Sequence, residues 1–172
     1  MKALIAFFSR ADENYFGGTY RYIEVGNTEI VAGQAKELSG ADSFKIEMKS
    51  PYSADYNTCI AQAKQDLNAN ARPEMVTAPE SIAEYDTIIL MYPNYWGTCP
   101  MAVFTFLEKY DFAGKIILPL CTNEGSGMGS SERDIAKIAK GATLKKGLAI
   151  NGSSVNSAKP KVEKWLKDNG VI

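Results

Sequence analysis

The stretch DTIILMYPNYWGTCPMAVFTFLEKY, residues 86–110, holds the turn on which the fold depends. Its first part, DTIILMY at 86 to 92, is a short run of Ile, Leu and Met without polar alternation, the pattern of a strand buried on both faces. Its last part, PMAVFTFLEKY from Pro100, reads as a helix, with the proline suited to the first helical position. Strand, loop and helix in so short a span make one unit of an α/β protein. Between them, PNYWGTCP puts Tyr95 and Trp96 in a proline-bounded loop just past the strand end. Neither ring can bury itself in the strand's own ladder, so each needs a flat surface to cover, either protein or ligand.

The same reading extends outward in both directions. ALIAFF at 3 to 8, KIILPLC at 115 to 121 and GLAIN at 147 to 151 repeat the doubly buried pattern. DSFKIEM at 42 to 48 alternates instead, as an edge strand whose Lys45 and Glu47 face water. Helical patterns fill the gaps: TEIVAGQAKELS from Thr28, NTCIAQAKQDLNANA from Asn57, SERDIAKIAKG from Ser131, and SAKPKVEKWLKDNG near the C-terminus. Ser131 with Asp134 fits a capping box, and Gly141 and Gly170 fit helix ends. Alternating strands and helices predict a three-layer α/β/α sandwich around a five-stranded parallel sheet of order 2-1-3-4-5, in a single domain over 1–172. One segment stands out, ADENYFGGTYRYIEVG at 11 to 26, inserted after the first strand. Most such connections are short, so this one reads as a functional loop.

Composition narrows the function. With 45% hydrophobic residues, 23% charged residues and a net charge of -1, there is no basic stripe for nucleic acid. No apolar run is long enough for a signal core or a membrane helix, so a cytoplasmic protein is expected. The chain has no histidine, which excludes His-based acid and base chemistry, Ser-His-Asp triads and the usual zinc sites. Cys59, Cys99 and Cys121 lie far apart and odd in number, which suits reduced structural thiols, with Cys99, inside the aromatic loop, the only one expected near a ligand.

Ligands of open α/β sheets sit beyond the carboxyl ends of the strands, where strand order reverses. The three unusual stretches of this chain all follow strands. After the first come Ser9 and Arg10 and then Gly26, Asn27 and Thr28, whose hydroxyls, amide and free backbone N–H groups suit a phosphate, or simply cap the helix. After the third, Tyr95 and Trp96 offer stacking faces or fold back on the core. After the fourth, TNEGSGMGSS lets backbone approach a ligand edge closely, or serves as a flexible connector. Phosphate site, aromatic planes and glycine-rich loop on one rim describe a phosphorylated planar heterocycle, best matched by flavin mononucleotide (FMN). The G-x-G-x-x-G and G-x-x-x-x-G-K-[ST] patterns are missing, which sets dinucleotides and P-loop nucleotides aside. Tyr92 and Pro93 stand where a receiver domain needs its aspartate, Ser9 where a tyrosine phosphatase needs its cysteine, and no G-x-S-x-G elbow exists.

On ALIAFFSR, GNT, P-x-Y-W-G-x-x-P and T-N-E-G-S-G the whole chain resembles the flavodoxin family. The resemblance implies a flavodoxin-like fold and noncovalent FMN, with Ser9, Arg10, Asn27 and Thr28 at the phosphate. It also implies Pro93, Asn94, Tyr95, Trp96 and Gly97 along the ring and ribityl chain, and Thr122, Asn123, Glu124, Gly125, Ser126 and Gly127 around the pyrimidine edge. The expected function is a one-electron carrier between redox partners. The alternative is an FMN-dependent NAD(P)H:quinone or nitro reductase with a small quinone-like acceptor. In either case the 11–26 segment is expected to fold over the cofactor, with Tyr15, Tyr20 or Tyr22 as added walls.

Overall fold

A computed structural model describes residues 1–172. Its centre is a parallel sheet built on β1 (Ala3–Phe7), β5 (Thr87–Pro93) and β6 (Ile116–Asn123), with β4 (Asp42–Lys45) paired to the outer side of β1. Successive residues of each strand point to opposite faces. Ala3, Ile5 and Phe7 of β1, with Ile89 and Met91 of β5, pack on helices α1 (Asn27–Ser39) and α5 (Lys159–Asp168) through Val31, Ala35, Val162 and Leu166. Leu4, Ala6, Ile88, Leu90 and Tyr92 go to the other face. There they meet α3 (Met101–Lys109) and α4 (Ser131–Ile138), while α2 (Tyr56–Asn68) closes the same side. The edge assignment of β4 holds, and Lys45 there pairs with Glu29 at 2.8 Å.

The sheet has six strands rather than five, because a two-residue strand precedes the predicted last one on the same edge. β7 (Thr143–Leu144) pairs with Ile116 and Ile117, and β8 (Leu148–Asn151) resumes at Leu120. Lys145, Lys146 and Gly147 bulge out between them, opposite Pro119. The cause lies in hydrogen-bond alternation. Ile116 donates its N–H to Asp86 across the β5 side, whereas the Ile117 carbonyl accepts from Lys145 on the other. The N–H that Pro119 lacks would therefore have faced the last strand. Gly147 gives its own N–H to Glu132 instead, at 2.6 Å.

The 11–26 insertion is not an irregular loop. It folds as an antiparallel hairpin, β2 (Asp12–Phe16) and β3 (Thr19–Ile23), around Gly17–Gly18, both with positive φ as a two-residue turn of this kind requires. The capping expectation for α4 also shifts. The flanking residue is Ser130, while the Ser131 hydroxyl lies inside the helix, donating to the Met128 carbonyl and accepting from the Tyr92 phenol. Pro100 likewise precedes α3 rather than opening it.

Phe106, wholly buried on α3, has Phe44 stacked 5.9 Å away and Tyr110 edge-on at 5.2 Å. Phe106→Ala is expected to lower unfolding stability by about 3–5 kcal/mol, measured by urea denaturation. A loss below ~1 kcal/mol would mean that this aromatic layer does not anchor α3.

Candidate functional site

The carboxyl ends of β1, β5 and β6 open on one rim, and a cleft of about 500 Å³ lies there. That volume is within the range of small-molecule sites. Twelve of the fifteen residues expected to hold a ligand line it; Ser9, Gly125 and Gly127 do not.

The first corner is made where the hairpin excursion ends. A Cβ on Gly26 would lie 2.2 Å from Ser9 Oγ and 2.6 Å from the Arg10 carbonyl oxygen, so only glycine lets the chain return this closely. The return puts Ser9 Oγ within 3.0 Å of the Glu29 N–H. Ser9 thus caps α1 from outside the helix, the role that Asn27 or Thr28 could have played. The amides of Asn27 and Thr28, ahead of the first intrahelical bond, have no backbone acceptor, and the Asn27 side chain makes no hydrogen bond within the protein. Thr28 is buried, its hydroxyl sharing a 2.8 Å bond with that of Thr122 and so joining the first rim loop to the third.

Arg10 departs from expectation. Its terminal nitrogens donate to the backbone carbonyls of Glu13, Ser53 (2.8 Å) and Ala54 (2.9 Å), fastening the hairpin to the segment before α2 rather than facing an anion. Its Nε is buried without a partner. Uncommitted donors at a helix N-terminus fit a phosphate, and this corner supplies them from Asn27 and the first α1 amides.

The aromatic loop turns tightly. Trp96 and Gly97 both have positive φ, and Tyr95 and Thr98 exchange backbone bonds across them. Tyr95 sits edge-on to Phe8 at 5.9 Å, with its phenol group in the interior, where burial holds it protonated. Trp96 leans over α2, donating its indole N–H to the Ile60 carbonyl at 2.9 Å beneath the ammonium of Lys64. Each ring therefore rests partly on protein and still forms part of the cleft wall, together with Pro93, Asn94 and Gly97. Asn94 ties this loop to the next, accepting from Gly97 N and donating to the Gly127 carbonyl. Ser130 closes the clasp with its N–H on the Gly97 carbonyl at 2.7 Å.

The third loop brings Thr122, Asn123, Glu124 and Ser126 to the cleft. Asn123 accepts from Gly125 N, and Glu124 accepts from Ser153 N at 2.8 Å, which pins the short helical turn at Gly152–Ser157 against the rim. Gly152 has no room for a side chain between Asn27 and Glu124.

The remaining wall consists of Asn14 and Tyr15 from the hairpin and Tyr56, Cys59, Ile60 and Ala63 from α2. Tyr15 lines the cleft; Tyr20 and Tyr22 share its face of the hairpin without lining the cleft, and the Tyr20 ring packs 6.0 Å from that of Tyr15 and 5.2 Å from that of Tyr56. Gly-Gly between DENYF and TYRYI was the local sign of the hairpin; nothing local marks the α2 residues, which arrive by packing. Cys59, rather than Cys99, lines the cleft. Burial raises the pKa of all three thiols, that of Cys121 to about 12, so none is a ready nucleophile at neutral pH.

The family model described as Flavodoxin matches residues 19–169. Among solved structures, a protein of Bacteroides uniformis provisionally assigned as a flavoprotein is 27% identical, covering 96% of this chain and 97% of its own, with a TM-score of 0.75. A Lactobacillus acidophilus flavoprotein solved in complex with FMN is 18% identical over 91% of this chain and 97% of its own, TM-score 0.64. The apo form of an NADH:FMN oxidoreductase shares the fold at 15% identity over 98% of this chain and 88% of its own, TM-score 0.58. Comparison with curated proteins returned no match.

The clasp between the second and third loops can be tested at Gly129, where φ is 55° and a Cβ would lie 2.2 Å from the Gly97 carbonyl oxygen. Gly129→Ala is expected to cost about 1–3 kcal/mol in urea denaturation. An unchanged midpoint would show that the two loops are not fastened there.

Proposed function

Because the chain belongs to the flavodoxin family, we propose that it binds FMN noncovalently in the rim cleft and serves as an electron-transfer protein that carries electrons between redox partners. The observation that carries this reading is the corner at the α1 N-terminus, where the Asn27 side chain and two free amides lie beside aromatic and glycine-rich walls. Bound FMN would supply the redox chemistry, and the chain's residues bind it and set its surroundings.

Asn27 and the amides of Asn27 and Thr28 hold the phosphate, with the α1 dipole adding attraction. Ser9 acts on this corner indirectly, by capping Glu29 and keeping the first turn in place. Tyr95, Trp96 and Pro93 provide the surface for the ring system, and Thr122, Asn123 and Ser126 provide polar contacts at its edge. Gly125 and Gly127 shape that loop without lining the cleft. Glu124, fixed by Ser153, puts a carboxylate in the wall. A fixed negative charge there resists further negative charge in the cleft, which favours a low potential.

A second reading, an FMN-dependent NAD(P)H:quinone or nitro reductase, draws on the wall from the hairpin and α2, which extends the cleft beyond the three rim loops. Anaerobic absorbance spectra of the FMN-reconstituted protein, recorded before and after NADPH addition, separate the two. Flavin bands that persist until a separate reductase is added support the carrier; bleaching within seconds supports the reductase. Flavin bands that never form on reconstitution overturn both.

The phosphate assignment has its own test. Asn27→Ala removes a side chain that bonds to nothing in the protein, so FMN affinity should fall by about ten- to a hundredfold while riboflavin affinity stays within about twofold. Equal weakening of both ligands in fluorescence titrations would show that the phosphate lies elsewhere.

A further inference from the structure

Among the residues that line the cleft, only Arg10 and Glu124 carry charge. The terminal nitrogens of Arg10 are taken by the carbonyls of Glu13, Ser53 and Ala54, so its fork is closed to an incoming anion. Glu124 has no cation beside it. Its carboxylate is held by Ser153: Oε1 accepts from Ser153 N at 2.8 Å and from its hydroxyl at 3.1 Å, and Oε2 accepts from the same hydroxyl at 3.0 Å.

The family resemblance assigns Glu124 to the pyrimidine edge, yet its carboxylate reaches the α1 corner. A Cβ on Gly152 would lie 2.5 Å from Asn27 Nδ2 and 2.7 Å from Glu124 Oε1, so amide and carboxylate flank one point of backbone. Gly152 opens the short helical turn that Glu124 pins through Ser153, and Gln34 of α1 donates to the Val155 carbonyl of the same turn at 2.8 Å. Three pieces, α1, the third rim loop and the 152–157 turn, thereby fix a carboxylate beside the free donors at the α1 N-terminus. Nothing packed around it neutralises that charge. α1 brings Glu29 in its first turn, already paired with Lys45 at 2.8 Å. The 152–157 turn and β8 contain no charged residue, and Glu124 is the only one in TNEGSGMGSS. Lys159, next along the chain, pairs with Glu37 at 2.6 Å.

A phosphate in this corner meets donors on one side and a negatively charged acceptor on the other. An anion that keeps one acidic proton suits both. Its bare oxygens take the Asn27 amide and the first α1 N–H groups, and its remaining O–H donates to the carboxylate. A fully ionised phosphate has no hydrogen to offer there and is repelled instead. We propose that Glu124 selects the charge state of the ligand, so that the cleft takes the phosphate of FMN with one negative charge and holds its second proton against the Glu124 carboxylate. The proposal rests on the FMN reading above and adds to it a specificity-determining residue. A free phosphate monoester loses its second proton at about pH 6. Retention of that proton in the complex means that affinity is full below about pH 6 and declines as the pH rises above it.

The test is fluorescence titration of the flavin-free protein with FMN, riboflavin and riboflavin 5′-sulfate between about pH 6 and about pH 8. FMN affinity should fall about tenfold over that range, the effect of one unit of displacement in the phosphate titration. Riboflavin, which has no phosphate, and the sulfate, which carries one charge throughout, should each change less than about twofold. Glu124→Gln should tighten FMN about five- to tenfold at the upper pH and reduce the pH effect to within about threefold. Ser153→Ala loosens the anchor but keeps the charge, and should retain the tenfold fall. Wild-type FMN affinity that is constant or increases with pH overturns the proposal. So does Glu124→Gln with the wild-type slope, or a sulfate that loses affinity alongside FMN, which would put the titration on the protein. A slope lost equally in Ser153→Ala also overturns it, because Glu124 then acts only by anchoring the turn. A wild-type chain that binds neither FMN nor riboflavin at any pH gives a separate result, which removes the FMN reading itself.

Discussion

Everything in this molecule depends on three parallel strands, β1, β5 and β6, being buried on both faces. A parallel pair needs a crossover to return the chain to the same end, and helices that cover both faces supply it. The price of that arrangement is that every strand delivers its following loop to one rim. Once Leu4, Ile88 and Ile117 face one set of helices, and Ile5, Ile89 and Leu118 the other, the loops after β1, β5 and β6 have no other place to be. The site follows from the core.

That is why so much could be read from the chain alone. Uninterrupted apolar runs fix the strands, and their order along the chain puts GNT, PNYWGTCP and TNEGSG together before any coordinate is known. What was not legible arises from interactions between distant residues. Pro119 was visible in KIILPLC, but which neighbour would lose a hydrogen bond depends on the side to which that residue's N–H points. Arg10 looked like a phosphate ligand because its position after β1 is right, yet three carbonyls at 13, 53 and 54 hold its terminal nitrogens. Ser9 caps a helix whose first turn lies across the whole hairpin from it.

Tyr95 and Trp96 show how two readings of one motif can both be partly right. An aromatic in a loop either covers ligand or covers protein, and these two do some of each: Tyr95 against Phe8, Trp96 along α2, both still in the cleft wall. A ring already seated on protein has lost most of its freedom before a ligand arrives. Ligand binding then requires less ordering of side chains, which is what preorganisation contributes. The α2 residues that share this wall were out of reach of the sequence, because helical periodicity reports which face is apolar but not which cleft that face meets.

The close approach of Gly26 to Ser9 has a consequence for how such a chain can change over generations. Since the two ends of the excursion already touch, the hairpin between them is a side branch off a closed junction. Closing a loop costs entropy that grows only slowly with its length, so a branch at such a point can be lengthened, shortened or exchanged with little effect on the junction. The corner at the α1 N-terminus and the wall bearing Tyr15 are in this sense separately inherited parts. One can stay fixed by the demands of an anion while the other drifts, giving a lineage a place to vary what the cleft admits without rebuilding what holds it.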